Sequence, residues 1–296
     1  MRESNSRYSV PKSQLLKWIG NKQKHADAIT RFFPRRFNRF FEPFLGSAAI
    51  LATVSPERGV GSDSYKPLME IWCTFKKDPG KVVTWYAERR NRIRGNNKDL
   101  VYQNVLESFN HNPNGADFIF LVRSCWGGVI RFRQEDGFMS TPCGEHDPIS
   151  VDEFVKRAQE WYPRIKNCDF AHTEYSEAFR RARSGDMIYC DPPYSDSQSI
   201  LYGAHEFDLE HLFELIERAK SRGVYVAMSM VGGKKGGGVA TKRYGEVVKL
   251  ARPRHLFEKQ VFINNGSSML KRFQLEGQTM EGEDVHDRLL LTYTPR

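Results

Sequence analysis

An apolar run that ends in a carboxylate and two prolines constrains the fold of this chain more than any other feature. The run from Met187 to Cys190 is followed directly by Asp191, Pro192, Pro193 and Tyr194. A short apolar run of this kind is typical of a buried parallel strand, and the ligands of open α/β sheets collect where such strands end. We therefore expect Asp191 to stand at a binding edge of a parallel sheet.

The residues after this run suit a flat ligand that carries an amino group. Prolines have no backbone N–H and hold the chain extended, so the Pro192 carbonyl is left to accept hydrogen bonds from outside. Asp191 adds a carboxylate acceptor, and Tyr194 adds a flat ring for stacking. Adenine has the matching amino group and ring. An ordinary strand end with a Pro-Pro turn explains the same tetrapeptide, and Tyr194 is then a core residue and Asp191 a cap.

Strand patterns alternate with helix patterns along most of the chain. This alternation predicts βαβ units and an α/β fold with a mostly parallel sheet. The strands are predicted at 40–45, 59–63, 187–190, 224–229 and 289–293, and the helices at 23–33, 150–161 and 209–222. The segment 232–238 is rich in glycine and lysine and is interpreted as a surface loop.

The stretch 67–146 breaks this rhythm and mixes basic residues with aromatic ones. A basic run occupies 89–98, and further arginines alternate with aromatic residues at Arg123, Trp126, Arg131, Phe132, Arg133 and Phe138. Cations for phosphates, guanidinium groups for base edges and rings for unstacked bases are what a nucleic-acid surface needs. A solvated helix face followed by an irregular loop is the alternative interpretation.

Charge and cysteine usage narrow the class of protein. The net charge of +9 favours a polyanionic partner, although a solvated basic surface gives the same value. Five scattered cysteines without a CxxC pattern, and histidines without an HExxH pattern, predict reduced thiols and no structural zinc. No apolar stretch reaches the length of a membrane span. We expect a soluble, cytoplasmic protein without a metal or a membrane partner.

The segment 41–49 is interpreted as a strand that runs into a turn of small residues. It lacks the glycines of a GxGxxG fingerprint, which favours a cofactor without a pyrophosphate. Asp63 closes the next strand, where Rossmann-like folds place the acid that binds ribose hydroxyls. An adenosine cofactor without pyrophosphate indicates S-adenosylmethionine. A helix N-cap is an equally good explanation of Asp63.

Taken in order, these motifs resemble the Dam family of alpha-class, site-specific DNA adenine methyltransferases. The resemblance covers nearly the whole chain and is carried by LLKWIGNK at 15–22, FEPFLGSAA at 41–49, Asp63, RSCWGGVIR at 123–131 with 138–144, and DPPY at 191–194. It implies a Rossmann-like methyltransferase fold in two parts, 1–66 and 147–296, interrupted by a mainly helical target-recognition insertion at 67–146. It also implies methyl transfer from S-adenosylmethionine to the N6 amino group of a flipped adenine in double-stranded DNA.

The resemblance assigns roles to individual residues. The proposed cofactor-binding residues are Trp18, Lys22, Glu42, Phe44, Gly46, Asp63 and Asp191. Catalysis falls to Asp191, Pro192, Pro193 and Tyr194, with 195–207 as a lid. The proposed DNA-binding residues are Lys17, Arg89, Arg92, Arg94, Arg123, Trp126, Arg131 and Arg133. The expected protein is a monomer or weak dimer that acts on bacterial or phage DNA, with a restriction endonuclease as a candidate partner.

The sequence departs from the family in two places. The cofactor turn has Gly46-Ser47-Ala48 where the family has Gly-x-Gly, and we expect the added methyl group to be tolerated. The insertion lacks several residues of GATC readers, with Met139, Ser140 and Thr141 in their place, so we expect another target. Alternatives are a methyltransferase for RNA adenine or a protein amide, and a non-catalytic DNA-binding relative. A nicotinamide dehydrogenase is disfavoured by the missing glycines.

Overall fold

A mostly parallel β-sheet organises the chain. The computed structural model describes residues 7–133, 135–193, 207–231, 239–243, 246–250, 255–264 and 286–295. Its strands are β1 (Phe40–Glu42), β2 (Gly59–Asp63), β3 (Cys168–His172), β4 (Met187–Cys190), β5 (Tyr225–Val231), β6 (Val239–Arg243), β7 (Glu246–Leu250), β8 (Lys259–Asn264) and β9 (His286–Leu291). Within these ranges, seven strands form one sheet in the order β3-β2-β1-β4-β5-β9-β8. Strands β1 to β5 pair in parallel, β9 is antiparallel to both neighbours, and β6 pairs with β7 in a separate hairpin.

Strands β1 and β4 are neighbours at the centre of the sheet although β2 and β3 lie between them in sequence. Phe40 of β1 is in register with Gly59 of β2 on one side and with Met187 of β4 on the other. The chain therefore builds outward from β1 and then returns to its other side. Such a reversal opens a crevice outside the carboxyl ends of the strands, which is where open α/β sheets bind ligands.

Strand β4 shows why a continuous apolar run forms a central strand. Its alternate residues enter two separate cores: Met187 and Tyr189 join the larger one, and Ile188 and Cys190 join the smaller one. All four residues are fully buried. Since both faces of the sheet are covered, no polar alternation survives in the strand.

The predicted α/β fold with a mostly parallel sheet is confirmed. The predicted strands at 59–63 and 187–190 coincide with β2 and β4, whereas the sequence analysis predicts none of β3, β6, β7 and β8. Strand β3 pairs on one side only and mixes buried with exposed residues. An edge strand of that kind has no apolar run for sequence analysis to find.

Helices cover the sheet and fill the long connection from β2 to β3. They are α1 (Ala26–Thr30), α2 (Ala49–Val54), α3 (Lys66–Lys77), α4 (Pro79–Arg90), α5 (Lys98–His111), α6 (Gly115–Ser124), α7 (Val151–Ile165), α8 (Ser176–Arg181) and α9 (Leu209–Ser221). Helices α4, α5 and α6 lie within the predicted insertion, which is mainly helical as expected. Helix α3 packs on the sheet, with Trp72 stacked on Phe170 of β3 at 5.8 Å between ring centroids. The predicted division assigns almost all of α3 to the insertion and β3 to the second part of the catalytic domain, although the two pack together. The division of the chain stays a prediction.

Three further observations concern membrane helices, cysteines and metal-binding groups. No helix in the described ranges is both long and apolar enough to cross a membrane. The five cysteines are free thiols. Among the described residues, no group of three or more His, Cys, Asp or Glu side chains could hold a metal ion.

Candidate active site

Three carboxylates meet at the carboxyl ends of neighbouring strands. Glu42 ends β1, Asp63 ends β2, and Asp191 follows β4 directly. All three line a cavity of about 620 Å³ at the switch point of the sheet. A cavity of this size is in the usual range for cofactor and small-molecule sites.

Asp191 is held by a lysine from the N-terminal part of the chain. Lys22 Nζ lies 2.8 Å from Asp191 Oδ2 and donates a second hydrogen bond to the Gly20 carbonyl at 3.2 Å. Only 17% of the Asp191 side chain is exposed. Pro192 and Pro193 also line the cavity. The ion pair fixes the position of the carboxylate next to them.

Asp63 binds the turn that follows β1. Its carboxylate accepts hydrogen bonds from the backbone N–H groups of Gly46 and Tyr65, each at 3.1 Å. Burial raises the pKa of Asp63 to about 6, against the lowering effect of these two hydrogen bonds. The carboxyl is therefore poised to ionise fully when a ligand supplies further donors.

Gly46 lets an aromatic ring lie directly on the turn. It has a left-handed φ of +47°, and a Cβ added there would lie 2.8 Å from both Cδ1 and Nε1 of Trp18. Ala48 also adopts a left-handed φ, +55°, and is fully buried. An alanine in this conformation costs roughly 1–2 kcal/mol more than in a right-handed one. The turn therefore keeps the geometry that glycine would favour even where alanine replaces it.

Glu42 forms the floor between the other two carboxylates. It is 3% exposed, and its Oε2 accepts a hydrogen bond from the Leu51 N–H in the first turn of α2 at 2.7 Å. Burial raises the pKa of Glu42 well above its usual range, and the charges of Asp191 and Asp63 raise it further. Glu42 thus anchors the start of α2 beneath the cavity.

The cavity also has walls that sequence analysis did not predict. Tyr65 lines the cavity, and its position two residues after Asp63 in sequence was a signal that it lies at the site. Other additional lining residues come from the predicted insertion and from the segment before α8, among them Phe109, Asn110, Phe132, Glu174 and Tyr175. No local pattern marks them, because tertiary packing alone brings them to the cavity.

The comparison with known families now decides what this site belongs to. The family of D12 class N6 adenine-specific DNA methyltransferases matches residues 18–261, which is well over half of the chain. The chain belongs to this family. Its activity is therefore adenine-specific DNA methylation, and DNA is its substrate.

The chain is also similar to individual proteins named as methylases or methyltransferases. The DNA adenine methylase of Vibrio cholerae is 26% identical over 227 residues, which cover 72% of this chain and 79% of that protein. The Type II methyltransferase M1.LlaDCHI of Lactococcus lactis subsp. cremoris is 24% identical with the same coverage. Among solved structures, the chain is similar to the rRNA methyltransferase aviRa from Streptomyces viridochromogenes. The match covers 92% of this chain and 83% of the aviRa chain, at 8% sequence identity and a TM-score of 0.33. That TM-score is too low to carry an argument.

Several residues predicted to bind DNA lie on the surface of this methyltransferase. Arg92, Arg94 and Arg131 are exposed. Arg133 is also exposed, although it pairs with Asp136 at 2.5 Å and lies over the Phe138 ring at 5.5 Å. Their roles at DNA stay predictions.

Lys17 and Trp126 are partly buried beside the turn that follows α6. An added Cβ at Gly128 would lie 3.0 Å from Lys17 Cβ, so the turn packs on this lysine. Burial lowers the pKa of Lys17, and the nearby Arg123 guanidinium lowers it further. The DNA-binding roles of Lys17 and Trp126 stay predictions.

Two of the predicted DNA-binding arginines of the methyltransferase are interior residues instead. Arg89 donates through Nε to Asp117 Oδ1 at 2.7 Å, and only 13% of its side chain is exposed. Arg123 is 4% exposed and donates to the Leu15 carbonyl at 2.8 Å. Both guanidinium groups donate to acceptors inside the protein, so neither side chain projects freely into solvent, and their DNA-binding roles stay predictions. Tyr194 and most of the predicted lid, 195–206, lie outside the described residues, as does the loop at 232–238.

Proposed function

We propose that the chain transfers the methyl group of S-adenosylmethionine to the N6 amino group of an adenine flipped out of a specific double-stranded DNA sequence. The observation that carries this proposal is the cavity in which Asp191, Pro192 and Pro193 face Asp63 and the Trp18–Gly46 contact. One wall suits an amino group, and the other suits a nucleoside. The two halves of the reaction would thus be held side by side.

The residues of the second wall fit S-adenosylmethionine. Asp63 would accept hydrogen bonds from the ribose hydroxyls, since it closes β2 where Rossmann-like folds place that acid. Trp18, Phe44 and Gly46 would hold the adenosine, and Lys22 would hold the end of the cofactor nearest Asp191. When bound, the cofactor supplies a methyl group on a sulfonium centre. The remaining catalytic work falls to the protein.

Asp191 and the Pro192 carbonyl would activate the target amine. The lone pair of the adenine N6 nitrogen is delocalised into the ring, which makes it a poor nucleophile. Hydrogen bonds from its two N–H groups to a carboxylate and a carbonyl favour the localised geometry and stabilise the positive charge that develops on nitrogen. Fixed placement of the nitrogen in line with the methyl group lowers the barrier further.

The target base must leave the helix to reach this site. Extrusion of a base costs about a few kcal/mol, and stacking on Tyr194 would repay part of that cost. Phe207 packs against Phe44 and Tyr175 at the cavity edge, at centroid distances of 5.8 and 5.7 Å. These rings would border the flipped adenine. Sequencing of DNA from cells that express the chain, with detection of modified bases, tests the proposal by reporting the modification and its target together.

The affinity for S-adenosylmethionine should fall in acid because of Asp63. With a pKa of about 6 in the folded protein, the carboxyl is mostly protonated at pH 5 and then has lost an acceptor for the ribose. We expect the dissociation constant to rise roughly tenfold between pH 7.5 and pH 5. Calorimetry across this range measures the effect. Asp63→Asn, which cannot ionise, should bind weakly at every pH and show a flat profile, whereas a flat wild-type profile would contradict the assignment.

The same raised pKa has the opposite effect on the stability of the free protein. Because the folded-state pKa of Asp63 exceeds the usual carboxyl value, its contribution favours folding at low pH and is lost as pH rises toward 6. Acid should therefore weaken cofactor binding without unfolding the chain through Asp63. Thermal unfolding at the same pH values separates the two effects.

Arg92 and Arg94 should contribute to the salt dependence of DNA binding. Both are exposed between α4 and α5, and each arginine that neutralises a phosphate adds about 0.9 to the slope of log affinity against log salt. We expect Arg92→Ala with Arg94→Ala to lower the slope by about 1–2, whatever the DNA sequence. Arg35→Ala serves as the matched control, because Arg35 is also exposed but lies near the amino ends of the strands, opposite the cavity. An equal slope in the double variant and the wild type would remove these arginines from the interface.

Arg131 is the stronger candidate to read a base. An arginine can bond both acceptors of a guanine, with discrimination of about 1–3 kcal/mol. Arg133 pairs with Asp136, whereas Arg131 forms no ion pair with any residue that the structure describes. We expect Arg131→Ala to relax one position of the target sequence, measured by mapping methylated sites. Arg133→Ala is the matched comparison. An unchanged target sequence in Arg131→Ala would contradict this role. Separately, if DNA modified by the wild type resists digestion at every GATC by a nuclease that adenine methylation blocks, the expected non-GATC target is wrong.

A further inference from the structure

A buried arginine of the predicted recognition insertion binds the backbone that leads into the cofactor site. Arg123 lies in the last turn of α6, and its Nη1 donates to the carbonyls of Gln14 at 3.1 Å and Leu15 at 2.8 Å. The residue is 4% exposed. A buried guanidinium is costly unless its N–H groups are paired. The two carbonyls pair Nη1 of this guanidinium, while its Nε has no hydrogen-bond partner among the described residues.

Helix α7 binds the same backbone from another direction. Arg157 Nη1 donates to the Gln14 carbonyl at 2.9 Å, and Trp161 Nε1 donates to the Ser13 carbonyl at 2.8 Å. Residues four apart share one face of a helix, so α7 presents both donors together. Arg157 is itself oriented by Glu153, whose Oε1 lies 2.9 Å from its Nε. We call residues 13–15 the clamped segment, because three side chains bind its carbonyls.

The clamped segment leads directly to residues of the proposed cofactor site. Trp18 follows three residues after Leu15, lies against Gly46, and meets the Phe118 ring of α6 edge-on at 6.1 Å. Lys22 then pairs with Asp191. Arg123 and Arg157 are not among the residues that line the cavity. They can therefore affect the site only indirectly, through the backbone of the clamped segment that they bind.

We propose that Arg123 and Arg157 are positioning residues, which place Trp18 and Lys22 at the cofactor by fixing the clamped segment. The inference rests on the proposed function, since it assigns Trp18 and Lys22 to S-adenosylmethionine. It also gives Arg123, in the last turn of α6, a role inside the protein other than DNA binding. A displacement of about 1 Å in such a segment is enough to reduce activity on the order of a hundredfold.

The test compares methionine and lysine at each arginine. Methionine keeps much of the volume and removes the donors, whereas lysine keeps one charged donor. We expect Arg123→Met and Arg157→Met to raise the dissociation constant of S-adenosylmethionine about tenfold or more, and the lysine variants to recover part of the loss. Arg180→Met is the control, because Arg180 is exposed on α8 and pairs with Glu177 in the same helix.

A second measurement needs no cofactor. With 5-fluorotryptophan incorporated, the Trp18 resonance is identified as the one lost in Trp18→Phe, and its chemical shift reports the place of the ring in the free protein. We expect that resonance to move in Arg157→Met and to stay in Arg180→Met. If the wild type binds no S-adenosylmethionine, the proposed function fails, while the resonance still tests the clamp.

Two results would overturn the inference. If the arginine variants lower the salt slope of DNA binding by about 0.9 with unchanged cofactor affinity, the arginines contact phosphates. If only the melting temperature falls, with the Trp18 resonance and the cofactor affinity unchanged, they stabilise the fold without placing the site. Arg157→Met keeps the test usable should Arg123→Met fail to fold, since Arg157 is the less buried of the two.

Discussion

Asp191→Ala should abolish methyl transfer to DNA while leaving the protein folded. The substitution removes the carboxylate that would accept an N–H of the target amine, at the point where positive charge develops. We expect the rate to fall at least about a thousandfold, which corresponds to roughly 4 kcal/mol in the barrier. Transfer of a tritiated methyl group to DNA at saturating S-adenosylmethionine measures the loss.

Asp191 also pairs with Lys22, so the experiment must separate chemistry from cofactor binding. Asp191→Asn retains a carbonyl acceptor and should keep part of the activity that Asp191→Ala loses. Asp169→Ala is the matched control, since this exposed carboxylate pairs with Lys76 on the surface of β3. Activity of Asp191→Ala within about tenfold of the wild type, roughly 1.4 kcal/mol, would exclude the assigned role.

Asp117→Ala should cause a large loss of stability. Asp117 is 4% exposed; its Oδ1 accepts from Arg89 Nε at 2.7 Å, and its Oδ2 accepts from Ser108 Oγ at 2.8 Å. Alanine leaves a largely buried guanidinium without its counter-ion. Breaking a buried pair in this way costs about 3–5 kcal/mol. Urea unfolding of the free protein measures the change.

The double variant Arg89→Met with Asp117→Leu distinguishes two quantities. One is the destabilisation caused by an unpaired buried charge, and the other is the net contribution of the ion pair to the free energy of unfolding. Apolar residues of similar volume often replace a buried ion pair without loss. We therefore expect the double variant to be more stable than Asp117→Ala alone. Asp169→Ala should change stability by less than about 1 kcal/mol, as exposed pairs do. If the free energy of unfolding of Asp117→Ala falls by less than about 1 kcal/mol, the Arg89 guanidinium is solvated by water or by another acceptor in the variant.

The central strand and its carboxylate could be predicted because their signal is local. Four consecutive apolar residues and two prolines specify a buried strand that ends at Asp191, and β4 ends at Cys190 as expected. The small-residue turn after β1 and the acid at the end of β2 carry similar short-range signals. The order of these motifs was enough to indicate the family that the comparisons then confirmed.

The roles of the arginines could not be predicted in the same way. Arg89 and Arg92 belong to the same basic run, yet Arg89 is largely buried and Arg92 is exposed; likewise Arg123 is buried whereas Arg131 is exposed. What separates them is a distant partner: Asp117 for Arg89, and the carbonyls of the clamped segment for Arg123.

The sequence by itself therefore determined the fold class and the edge of the sheet at which Glu42, Asp63 and Asp191 stand. Only the tertiary structure decided which basic side chains face solvent and how Trp18 reaches the turn at Gly46. The physical reason is the range of the interactions. Strand patterns and turns depend on neighbours in sequence, whereas the burial and pairing of a charge depend on groups that packing brings from elsewhere in the chain.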